Sequence, residues 1–183
     1  MADSAPADGP LLQTWRMLLN GYGYNWYREE NLARADDLLV RSRASDHLAA
    51  AAARLRELEA GYRRRHIPPP SRAQPDPDPD HLAAARRIRA AHDRILSADT
   101  VLRGAPVPPT DRIWARFSAE PEMLKRLVYH DVMLVGSAEA LESGLAGLDA
   151  AAGLDDAREA EIDRHLTEIA AALKQRRDLL EFR

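Results

Sequence analysis

Three residues able to do chemistry stand on helical stripes that are otherwise apolar. His92 and Asp99 fall on the stripe Leu82, Ala85, Ile88, His92, Ile95, Asp99, Leu102. Asp131 interrupts the stripe Leu124, Leu127, Asp131, Leu134, Ala138, Leu141, Leu145, Leu148. A charge buried without a partner is costly, so each of these side chains needs a counter-group, water or a ligand. The structural solution is a pair in which His92 donates to Asp131 and fixes the register of two helices. The chemical solution is a pocket or divalent-metal site inside a bundle, drawing on His92, Asp99, His130 and Asp131, with Tyr129 next in sequence.

A second metal-compatible spacing is Glu161, His165 and Glu168, at i, i+4 and i+7. These residues flank the apolar positions of their segment, and a solvated helix edge is the expectation for them. Carboxylate-bridged di-iron bundles use Glu-x-x-His on two helices. None of the six histidines has a glutamate three residues before it. There is no cysteine, which removes disulfides, thiolate metal sites and cysteine nucleophiles and fits a reducing compartment. G-x-S-x-G and P-loop signatures are absent. Gly21 and Gly23 in GYGYNW lack a third glycine and follow a helical rather than a strand pattern, which argues against a dinucleotide loop. No cofactor is therefore expected, the divalent metal being the alternative.

The densest local signal is aromatic. The chain has three Trp, five Tyr and two Phe, and Trp15, Tyr22, Tyr24, Trp26 and Tyr27 lie within 13 residues. Such rings bury large area with few rotatable bonds and carry polar tips. They serve either as an end-cap of the fold or as a partner-binding surface, where aromatic residues are enriched.

The elements that must position these residues read as follows. Residues 1–9 are a small-residue acidic tail, and one helical-bundle domain covers 10–183. Pro10 opens a short helix with Leu11, Leu12, Trp15, Leu18 and Leu19, which Asn20-Gly21 ends. Asn25 is placed as the cap of a long helix from about 26 to 66, with Glu29 and Glu30 near its positive end. Its apolar positions, Leu32, Ala35, Leu39 and then Leu48, Ala51, Leu55, Leu58, Tyr62, do not share one register, which predicts a bend or a change of packing partner near Arg41 to Ser45. Residues 67–80 hold six prolines and form an extended spacer between antiparallel helices. A third helix covers His81 to Leu102 with Asp80 as cap, and the proline-rich APVPPT after Gly104 leads to Trp114 and Phe117. A fourth helix starts near Pro121. A last one, with Asp156 and Glu159 as a capping box, carries Ile162, Leu166, Ile169, Leu173 and Leu180. The fold expected is an all-α antiparallel bundle with one long helix, an aromatic N-terminal helix-turn and two proline-rich connections.

Composition bounds the function. A net charge of −3 argues against holding nucleic acid, although Arg63 to Arg65 with Arg86, Arg87 and Arg89 leave that as a weaker reading. The sequence shows no signal peptide and no apolar run of about 20 residues, so no membrane role is expected. The expectation is a cytoplasmic, non-enzymatic accessory or assembly factor, chaperone-like in kind. It would bind another protein through the aromatic 15–27 segment and the long helix, and self-association is compatible with such a surface. A ligand- or metal-binding bundle is the alternative.

Overall fold

The computed structural model describes residues 29–70, 72, 76–105 and 121–181, and all four elements among them are helices: α1 (Glu29–His66), α2 (Pro79–Gly104), α3 (Pro121–Leu145) and α4 (Asp156–Glu181). The side chains of residues 29–37, 121, 124 and 181 lie outside the description. So do the expected tail, the N-terminal helix-turn, and the segment holding Trp114 and Phe117. The chain is an all-α bundle, as its periodicity predicts.

Helix starts follow local chemistry. Asp78, not Asp80, caps α2: its carboxylate accepts the Asp80 N–H at 2.8 Å. The helix begins two residues earlier than expected because Pro79 has φ already set and no N–H to satisfy. Likewise Asp155, not an Asp156–Glu159 box, caps α4, accepting the Arg158 N–H at 2.7 Å. Gly153 makes the turn into α4 with a φ of 75°, a left-handed conformation that L side chains resist.

Cross-helix bonds fix the directions. Ser45 to Asp99 (2.5 Å) and Tyr62 to His81 (2.8 Å) make α1 and α2 antiparallel. His47 to Glu142 (2.6 Å), with Gly61 packed on Ala150, sets α3 parallel to α1. Ser137 to Glu168 (3.0 Å) and Asp131 to Arg176 (2.5 Å) make α3 and α4 antiparallel. Arg87 to Glu159 and Arg94 to Asp163 run α4 parallel to α2. Round the bundle the order is α2, α1, α3, α4, so α1 and α4 are diagonal, as are α2 and α3; the α2–α4 seam is the thinnest.

Leu48, Leu55, Ile88, Ile95, Leu134 and Ile162 are among the side chains sealed in the core, each worth about 1.5–3 kcal/mol of burial. Arg41 to Ser45 are helical, so α1 is not broken there, and the change of packing partner expected near these residues falls where α2 ends, at Arg41. The true buried line includes Val40, Arg41, Ala44, Ser45 and Leu48, while Leu39 is 43% exposed. The two apparent registers arise because polar residues occupy two buried positions. Arg41 reaches past the end of α2, and its Nη1 donates to the Ala105 carbonyl at 2.6 Å, the electronegative end of that helix.

That contact marks where the four described helices become three. Beyond it α1 continues for 12 residues toward Glu29, about 18 Å at 1.5 Å per residue. Among the described residues, only α1, α3 and α4 occupy this end. A small separate cluster, Leu127 and Leu180 with Met123 and Leu179, replaces the main core there. No helix among the described residues is long and apolar enough to cross a membrane.

Candidate interaction surface

The four residues marked for ligand or metal chemistry do not share a site. His92 is buried, but its Nδ1 meets Asp93 Oδ1 at 2.8 Å. Asp99 accepts from Ser45 at 2.5 Å and from Arg103 at 2.9 Å. Asp131 accepts from Arg176 Nε at 2.5 Å, with the Arg176 side chain only 6% exposed. His130 lies beside Tyr129, and burial with the nearby Arg126 charge lowers its pKa. The expected His92–Asp131 pair is thus overturned. Their helices are diagonal, and the cross-helix bonds put the two residues about 24 Å apart along the bundle axis at 1.5 Å per residue. Among the described residues no three His, Cys, Asp or Glu side chains converge to hold a metal ion.

The Glu161, His165, Glu168 group departs from expectation in another way. His165 is buried rather than on a solvated edge. Arg164 donates to its Nε2 at 2.9 Å, so its Nδ1–H donates to Glu168 at 3.2 Å, and Ser137 donates to the same carboxylate oxygen at 3.0 Å. Burial alone would raise the Glu168 pKa, but the bonds from Ser137, Arg164 and His165 outweigh it and hold the carboxyl below its usual value. Serine and imidazole both address the carboxylate and not each other. The arrangement fastens α3 to α4 and does not activate a nucleophile. A void of about 10 Å³ beside His165, Glu161 and Gly144 is at the lower limit for one water.

The two ends of the bundle differ. At one, Tyr62, His66 and His81 close over each other: the two imidazoles stack at 4.5 Å, the Tyr62 hydroxyl meets His81 Nδ1, and His66 Nε2 donates to the Ala151 carbonyl at 3.0 Å. At the three-helix end, large apolar side chains face outward: Leu38 is 58% exposed and Tyr129 59%. Leu38 has a specific reason for exposure. Tyr62, Ser45 and Arg41 face α2, and Leu38 continues that line by one turn, past the point where α2 stops. Sequence reasoning missed Leu38 because it phased this part of α1 on Leu32, Ala35 and Leu39. The expected partner-binding residues Trp15, Tyr22, Tyr24, Trp26 and Tyr27 lie outside the described residues, and they precede Glu29, the first residue of α1 at this same end.

Compared with known proteins, the chain matches no family model, no characterised protein and no solved structure.

Proposed function

We propose that this protein is a non-enzymatic interaction factor that docks another protein at the three-helix end of the bundle. The observation carrying this reading is the outward-facing Leu38 on the line that α2 would otherwise cover. Tyr129 adds a second large apolar side chain at the same end, and α1 is the platform. Trp15, Tyr22, Tyr24, Trp26 and Tyr27 supply anchors of the type that dominate interface energetics, joined in sequence to that platform. Of the polar residues first marked for chemistry, His92, Asp99 and Asp131 support the reading indirectly, since each makes a bond to a neighbouring side chain. An accessory or assembly factor of the cytoplasm is the class proposed.

The test separates binding from folding. Replacing Tyr24 and Trp26 together by Ala should weaken capture of the physiological partner while leaving the melting temperature near that of the unmodified protein. A buried aromatic end-cap would instead cost about 3–5 kcal/mol per ring. A sharp drop in melting temperature with capture retained by the folded fraction contradicts the proposal.

A further inference from the structure

The line along which α2 stops can be followed on its neighbours. On α2, Arg87 and Arg94 face α4, and Val101 comes one heptad later on the same line, yet is 53% exposed. On α4, Asp156, Glu159 and Asp163 receive those arginines. Continued at helical spacing, the same face carries Ala170, Lys174 and Arg177, and all three are exposed. On α1 the last residue of the line whose side chain is described is Leu38. The α1–α3 and α3–α4 bonds place Leu38 at the same height as Lys174, with Arg177 one turn further out.

The face of α4 that lies along α2 therefore changes sign. Its first half is acidic and is met by α2's arginines. Its second half is basic, and there α2 has ended. From these observations we infer that the groove running on from Gly104, between Leu38 and Val101 on one side and Lys174 and Arg177 on the other, accepts an amphipathic helix with an acidic flank from a partner protein, laid in as a fourth helix. This inference rests on the interaction reading above and names the chemistry of its partner. The apolar floor asks for residues at i, i+3, i+4 and i+7, the helix-in-groove mode. The exposed Lys174 and Arg177 ask for Glu or Asp beside that stripe. From Arg41 to Glu29 the backbone of α1 spans about 18 Å, or roughly three helical turns.

The experiment uses the full chain and two synthetic fluorescein-labelled 14-residue peptides. Both carry Leu at i, i+3, i+4 and i+7; one has Glu at the flanking positions and its twin has Lys. Fluorescence anisotropy should show saturable binding of the acidic peptide, at least tenfold tighter than its twin and weakened by 0.5 M salt. Leu38→Asp should weaken binding of the acidic peptide at least tenfold. Lys174→Glu with Arg177→Glu should reverse the preference between peptides, with circular dichroism confirming that each variant keeps its helix content. Equal affinity for both peptides, or indifference to Leu38→Asp, overturns the inference. A dimer in sedimentation that Leu38→Asp dissolves gives the groove to a second copy and overturns it too. Tighter peptide binding in Trp15→Ala or Trp114→Ala gives the groove to the chain's own residues and likewise overturns the inference. If Leu38→Asp abolishes capture of the physiological partner while the charge reversal leaves it intact, the acidic-helix inference fails and the docking reading stands. If neither variant affects capture, both fail.

Discussion

Replacing Asp131 by Ala tests the pairing that the structure puts in place of the expected one. Asp131 Oδ1 lies 2.5 Å from Arg176 Nε, and the side chains are 13% and 6% exposed. Removing one member of a buried pair leaves an uncompensated charge, at a cost of roughly 3–5 kcal/mol. Both residues make further contacts, which puts the expected loss toward the lower end of that range. For a domain of this size each 1 kcal/mol moves the midpoint by about 2–4 °C, so a fall of at least about 6 °C is expected. The assay is a double-mutant cycle read by circular-dichroism melts and urea unfolding. Asp131→Ala should couple to Arg176→Met, the double variant being less destabilised than the two single losses added together. It should add independently to His92→Ala, because sites more than about 10 Å apart with no shared partner behave additively. A loss below about 1 kcal/mol for Asp131→Ala, or coupling to His92 and not to Arg176, would refute the arrangement of α3 and α4 described above.

Other outcomes follow from the same geometry. Gly153→Ala should destabilise the fold by at least the roughly 1–2 kcal/mol of a left-handed L residue, because φ is 75° and the new Cβ would lie 3.0 Å from the Tyr62 ring; a melting temperature unchanged from the parent would contradict that turn. Glu168 holds its carboxyl below the usual glutamate range, so its stabilisation is fully present above the unfolded value near 4.3 and is lost as pH falls through the lower folded-state value. Glu168→Gln should accordingly flatten the acid limb of a stability-versus-pH curve, and an unchanged limb would count against the Ser137–Glu168–His165 bonds. Leu48 is sealed in the core, so Leu48→Ala should cost about 2–5 kcal/mol, whereas Leu38→Asp should change stability by less than about 0.5 kcal/mol; similar losses at both positions would place Leu38 inside the core.

The fold was legible where each structural signal is carried by one residue type. Pro121 and Gly104 mark helix boundaries at the expected places, and α3 shows its apolar stripe almost unbroken because Asp131 alone interrupts it. The phase of α1 was not legible. Arg41 and Ser45 occupy buried positions and serve the end of α2 and Asp99, so an apolar count slides one residue toward Leu39. The partners of buried polar groups were also hidden, since they depend on which helices are neighbours. The counter-charge of Asp131 is 45 residues away on α4, whereas His92 finds its partner in the very next residue. Period counting finds that a charge needs a partner and does not say on which helix it sits. His165 misled for a related reason: a histidine among charged neighbours reads as solvated until the adjacent helix supplies Ser137.

Site-specific photo-crosslinking bears most directly on the docking claim. A benzophenone amino acid would replace Leu38 or Tyr129 at the three-helix end, or Arg56 or Ala60 on the exposed back of α1, in the full chain expressed in its own cells. Docking at the three-helix end predicts one discrete protein adduct from positions 38 and 129 and none from 56 and 60. It also predicts that the adduct is lost when Tyr24 and Trp26 are both Ala in a chain that still melts normally. The same adduct at equal yield from all four positions, or an adduct from 56 and 60 alone, would contradict it.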